Sequence, residues 1–261
     1  MPQAFVVAAG LEGSFATSQN AGETWVQVKL PVNGDIVAIT ASDPLNITIT
    51  TKVRGESFER DRLYKENDSK LLISRDGGKR WTEISMPSGD FETRDLETTG
   101  AGKIWLLQAP TEQAIRTAAY YQWLSHRGNS NDDKTDWYTA QQRLLTRGLQ
   151  YTPDFGGTWI AAEVPPFSFD SLRRADSDEV FLLSGVYGCA SAELFENRIK
   201  ISDLPHPAFV NDHRCEVQAP FPYLHKWSCD AVDRKTIVFC GAGAFFTATH
   251  DLISYASAGD N

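Results

Sequence analysis

The sequence predicts an all-β fold assembled from repeated four-stranded antiparallel sheets, with one helical interruption. Three observations carry that reading. An octapeptide recurs three times, runs of alternating hydrophobicity flank each copy, and 19 Gly and 12 Pro against 2 Met favour short strands and turns. The copies are Ser18-Gln19-Asn20-Ala21-Gly22-Glu23-Thr24-Trp25, Ser74-Arg75-Asp76-Gly77-Gly78-Lys79-Arg80-Trp81 and Thr152-Pro153-Asp154-Phe155-Gly156-Gly157-Thr158-Trp159. Each reads hydroxyl, any, Asp or Asn, any, Gly, any, Thr or Arg, Trp. A proline follows each Trp six residues on, at Pro31, Pro87 and Pro165.

The chemistry of the octapeptide is that of a hairpin turn. Asn20, Asp76 and Asp154 each stand two residues before a glycine (Gly22, Gly78, Gly156), so a side-chain oxygen can accept backbone N–H groups while Gly takes positive φ. The leading Ser18, Ser74 and Thr152 can bond into the same turn. Trp25, Trp81 and Trp159 are expected to bury their rings between neighbouring strands. A fourth copy survives in its second half, with Ile199 in the Trp place and Pro205 in the proline place, and a fifth begins at Thr249-His250-Asp251 and decays.

These residues resemble the Asp-box, or BNR repeat, of sialidases, sortilin-type receptors and photosystem II assembly factors. The first copy departs by Asn20 and the second by Arg80. The resemblance implies a β-propeller, and the spacing implies about five blades, with six as the alternative.

The strands then follow in order. The first unit holds strands over 5–9, 14–17 and 25–29; the second over 35–41, 46–51, 70–74 and 81–85. The third holds 91–97, 103–108, 148–152 and 159–163. The fourth holds 169–174, 179–184, 192–196 and 198–202, and the fifth 227–232, 236–241 and 244–249. The chain is expected to form a single domain over 1–261, closing its ring between the termini.

Interruptions of the repeat carry the functional expectation. A bare blade needs ~40 to 45 residues, so the longer intervals hold insertions at 52–69 and 109–147. The first is highly charged. In the second, 111–126 and 136–147 read as helices with Thr111 and Asp136 as N-caps. These segments carry the candidate partner-binding residues Arg54, Tyr64, Tyr120, Tyr121, Trp123, His126, Trp137 and Tyr138. Their aromatics either fasten the insertion to the scaffold or stay exposed as anchors, since Trp, Tyr and Arg dominate interface hot spots. In an up-and-down blade both insertions leave the same end, opposite the octapeptide turns, and the 205–226 connection joins them there. Loops on one end of a rigid scaffold are where binding concentrates.

Composition narrows the partner. A net charge of -9 argues against nucleic acid, which is bound through Lys and Arg, and favours a basic protein. No stretch approaches the ~20 apolar residues of a membrane span. The N-terminus shows no signal peptide, so the chain is either cytoplasmic or a mature form. The even number of cysteines inclines the reading to a periplasmic or secreted mature form, with cytoplasmic as the alternative. Cys189, Cys215, Cys229 and Cys240 are either buried thiols or two disulfides, Cys189–Cys215 and Cys229–Cys240. The first pair is placed on the insertion end, with Cys189 in a loop. The second is expected face to face on paired strands.

Catalytic signatures are sparse. The arginine triad and Phe/Tyr-Arg-Ile-Pro segment of sialidases find no match beyond Arg198-Ile199, and Arg94, Arg173, Arg174 and Arg214 read as surface charges. The five histidines have no metal-ligand spacing, and Gly241-Ala242-Gly243 lacks a dinucleotide-site context. No catalytic, cofactor or metal residue is assigned. The expectation is a non-catalytic protein-binding propeller, by analogy an inhibitor, immunity protein or assembly factor. A carbohydrate-binding or glycoside-hydrolase propeller is the alternative, with a glycan as its ligand.

Overall fold

The computed structural model describes residues 5–32, 34–52, 69–87, 90–99, 102–126, 133–164, 169–174, 180–185, 189–195, 198–204, 228–231, 236–241 and 244–249. Within them the chain is a series of antiparallel meanders of sequence-consecutive strands, the blade unit of a β-propeller. The first sheet holds β1 (Val6–Ala9), β2 (Ser14–Ser18) and β3 (Val26–Lys29). The second holds β4 (Asp35–Ala41), β5 (Ile47–Lys52), β6 (Ser69–Ser74) and β7 (Thr82–Ile84). The third holds β8 (Phe91–Thr99), β9 (Lys103–Pro110), β10 (Leu149–Thr152) and β11 (Ile160–Ala162), with α1 (Glu112–His126) and α2 (Asp133–Leu145) between β9 and β10. The fourth holds β12 (Phe169–Arg174), β13 (Val180–Gly185), β14 (Cys189–Phe195) and β15 (Arg198–Leu204). The fifth holds β16 (Ser228–Ala231), β17 (Thr236–Gly241) and β18 (Ala244–Thr249).

The chain divides into two compact units, residues 1–144 with 150–160, and 145–149 with 161–261. In the first unit, sheets stack face to face. Phe15 of β2 and Leu30 pack with Ile47, Ile49 and Leu72 of the second sheet. The other face of that sheet sets Leu71 and Ile73 against Ile104 of β9, and Ala38 against Leu96 and Leu106. Strand β5 is therefore covered on both faces, which is why Ile47–Thr51 is buried throughout. Its Ile-Thr alternation reads as half-exposed, but small β-branched hydroxyl residues fill a doubly covered strand well. In the second unit, β12 and β13 are neighbours of β16.

The first strands of the second, third and fourth sheets share a device that the alternation did not reveal. The register slips between Ile36 and Ala38 in β4, between Thr93 and Asp95 in β8, and between Phe169 and Ser171 in β12. Each slip leaves one residue unpaired (Val37, Arg94, Asp170) near the start of its strand. Such bulges bend the strand and redirect its side chains.

The three octapeptides close with the same bonds. Ser18, Ser74 and Thr152 each accept the N–H of the glycine four residues on, at 2.8, 2.7 and 2.8 Å. Each hydroxyl donates to the following Asn20, Asp76 or Asp154, at 2.9, 3.0 and 2.8 Å. That side chain in turn accepts the N–H of Thr24, Arg80 or Thr158, at 2.9, 2.8 and 2.8 Å. Gly22, Gly78 and Gly156 have φ of 91°, 90° and 84°.

The tryptophans divide: Trp81 and Trp159 are partly buried against the core and fasten their turns to the preceding sheet, whereas the first is not buried as expected. Trp81 meets Phe15 of the first sheet edge to face at 5.4 Å, and the Trp159 indole donates to the Ser85 carbonyl at 3.0 Å. Trp25 is 45% exposed.

Three further expectations are corrected. Helix α2 begins at Asp133, so Asp136 lies inside its first turn and is not its cap. Cys189 opens β14 opposite Ser184 and Leu204 and is not in a loop. Cys229 lies opposite Phe239 and Cys240 opposite Ser228, one position out of the expected face-to-face register. Hairpin register follows from turn length, and a slip of one moves a position to the other face. Cys215 lies outside the described residues.

Candidate functional site

The α1–α2 hairpin leaves the end of β9 and returns at the start of β10, the strand end opposite the octapeptide turns. Its base is fixed by Thr111. The Thr111 hydroxyl accepts the Ala114 N–H at 3.1 Å, its N–H donates to the Asp90 carbonyl at 2.9 Å, and its carbonyl accepts Ile115 N–H at 3.0 Å. This is an N-cap joined to the sheet. Glu112 pairs with Arg116 one turn on at 2.7 Å, an exposed pair worth about 0.3–0.5 kcal/mol. Ala114, Ile115, Ala140 and Leu145 form the buried side of the two helices.

Asp136 joins the helices. It is 4% exposed, and its Oδ1 accepts the Gln122 amide of α1 at 3.0 Å and lies 3.9 Å from His126 Nε2. Burying a carboxylate is costly unless it is bonded, and the Gln122 bond ties α2 to α1 through Oδ1.

The opposite side of the hairpin is aromatic and open. Tyr120 is 56% exposed, Tyr121 65%, Trp123 44% and Tyr138 63%, with Leu124 beside them. On α1 the Tyr120 and Trp123 rings stack at 6.1 Å, and Tyr120 meets Tyr121 edge to face at 5.9 Å. Of the residues singled out from sequence, Tyr120, Tyr121 and Trp123 form one cluster. His126 sits at the tip of α1 against Asp136, Tyr138 is exposed on α2, and Trp137 is half-buried. Arg54 and Tyr64 lie outside the described residues. Sequence reasoning missed Gln122 and Asp136 as the clasp. The signal was weak, since Asp133 and Asp136 both stand in the first turn of α2 and residue type alone does not tell which is buried.

Near the same strand end, Lys52 Nζ bonds Glu92 Oε2 at 2.8 Å, and Arg94 bonds Glu92 Oε1 at 2.7 Å. Lys52 ends β5 and Arg94 is the bulged residue of β8, so this ion triad ties the second sheet to the third. All three are partly exposed, and such pairs contribute little each. Among the described residues no group of three or more His, Cys, Asp or Glu is placed to hold a metal ion, and no helix is long and apolar enough to cross a membrane.

No family model and no curated protein matches the sequence. Solved structures similar in fold include YCF48 bound to D1 peptide (TM-score 0.47, 12% identity, covering 95% of this chain and 66% of that one). YCF48 from Cyanidioschyzon merolae aligns with TM-score 0.45 and 11% identity over 94% of this chain and 78% of that one. A streptogramin B lyase aligns with TM-score 0.43 and 8% identity, over 93% of this chain and 67% of that one. The chain spans about two-thirds of the first of these. At such scores and identities the likeness transfers neither ligand nor activity to this chain.

Proposed function

We propose that this chain is a non-catalytic binding protein built on Asp-box repeats, which recognises a protein partner through the face of the α1–α2 hairpin. The observation that carries the proposal is the cluster Tyr120, Tyr121 and Trp123 on α1, held open to solvent, with exposed Leu124 beside it and a further exposed ring, Tyr138, on α2. Large aromatics left exposed together on a rigid support lose little conformational entropy on binding and supply most of an interface's energy. The net charge of -9 supports a partner of basic character. An inhibitor, immunity or assembly role, in the periplasm or outside the cell, is part of the same proposal.

The test is affinity capture from source-cell extract. The wild-type chain is compared with a variant carrying Tyr120→Ser, Tyr121→Ser, Trp123→Ser and Tyr138→Ser, which leaves the Asp136 clasp intact. A protein held by the wild type and lost by the variant is the expected result. Equal capture by both chains, or hydrolysis of a glycoside by both, would refute the proposal.

A further inference from the structure

We propose that the second and third sheets enclose a binding site for one ordered water molecule, at the end where the octapeptide turns lie. A cavity there is lined by the polar residues Ser42, Asn46, Thr48, Thr98, Thr99 and Lys103, drawn from both sheets. It has room for about one water-sized sphere, the least space in which a water can be held.

Thr99 points to an occupant. It is 1% exposed, and its Oγ1 has no hydrogen-bond partner among the described residues. A hydroxyl buried without a partner forfeits its hydration and gains nothing in return. Thr99 lies opposite Lys103 in the β8–β9 ladder, and both line the cavity. The adjoining seam is already polar. Thr40 of β4 donates to Glu97 Oε2 at 3.2 Å, and the Thr98 hydroxyl reaches Thr40 Oγ1 at 3.5 Å. That last bond is at the limit of a useful hydrogen bond. A water bonded to Thr99 and to groups of the facing sheet completes the link.

Charge and shape exclude other ligands. Lys103 brings a positive charge, while Asp43 stands beside the cavity and accepts the Asn46 amide at 2.7 Å and the Ser42 hydroxyl at 3.4 Å. Burial pushes the Asp43 carboxyl up, but hydrogen bonds from Asn46, Leu45 and Ser42 outweigh it and hold the group below the ordinary value. Groups of both signs therefore stand at or beside the cavity, which favours a neutral occupant. The Phe155 ring at the wall is no platform for a sugar. Arg75 covers it at 3.8 Å from the centroid, and a Cβ at Gly102 would lie 2.3 Å from the ring.

The experiment is a high-resolution crystal structure of the full chain grown in a bromide salt, with melting curves of wild type and Thr99→Val. The expected result is a single water within hydrogen-bond distance of Thr99 Oγ1, no anomalous bromide peak in the cavity, and a lower melting temperature for the variant. A bromide or other ligand peak, an empty cavity, or a melting temperature raised by the valine would each overturn the proposal.

Discussion

The two ends of the blades spend their polar and aromatic groups in opposite ways. At the octapeptide end the recurring hydroxyl and acid or amide of each turn are committed to the scaffold. Ser74 bonds Asp76 and Gly78, Asp76 bonds Arg80, and Trp81 packs on the neighbouring sheet. At the hairpin end Thr111, Gln122 and Asp136 hold the helices in place, and four large aromatic rings face solvent. A recurring motif with conspicuous residues is thus an architectural joint, while the insertion that breaks the repeat carries the surface available to a partner. Substitutions at the first end should cost stability, and those at the second should cost binding.

The largest effect is expected at Gly156. Its φ is +84° and a Cβ would fall 2.0 Å from Ile84 Cγ2, so Gly156→Ala combines backbone strain with a clash across two sheets. A loss of about 3 kcal/mol in urea unfolding is expected. Ser74→Ala comes next, because the buried Gly78 N–H loses its acceptor, and should cost about 2 kcal/mol by the same measurement.

Acid sensitivity follows from the same turns. The backbone N–H of Arg80 holds the Asp76 carboxyl below its ordinary value, and that of Thr158 does the same for Asp154. The folded state therefore binds these protons less readily than the unfolded chain. The stability they contribute is complete above the ordinary aspartate value of 3.8 and disappears as pH falls through the lowered folded values. A doubly substituted Asp76→Asn, Asp154→Asn chain should be less stable at neutral pH and should lose less further stability on acidification, as read by chemical unfolding across pH. An equal acid-dependent loss would break this assignment. The smallest effect on stability is expected from Tyr121→Ser and Tyr138→Ser, within about 0.5 kcal/mol, since both rings are exposed.

Much of this scaffold was legible in the sequence because hydrophobic alternation and turn chemistry are local. Strands β4, β12, β17 and β18 begin and end where the pattern puts them. What escaped depends on distant parts of the chain. The tryptophan positions are fixed by the preceding sheet, so Trp81 and Trp159 could not be placed from their own strands. Ala21 and Phe155 adopt φ of 58° and 56°, a region that residue type alone argues against, because the turn's side-chain bonds hold them there. The start of α2 was misread because Asp136 has the chemistry of a cap, and its real partner, Gln122, belongs to another helix. The exposed aromatics were named from sequence, but their openness follows from which side of each helix the sheet covers.

The most direct test of the central claim compares the two ends in one experiment. A photo-crosslinking amino acid is placed at Tyr121 on the hairpin, or at Thr158 on the third octapeptide turn, and the chain is irradiated in source cells. A discrete covalent adduct with one protein from position 121 and none from position 158 is the result expected of a hairpin-face binder. An adduct from position 158 alone, or none from position 121, would contradict it.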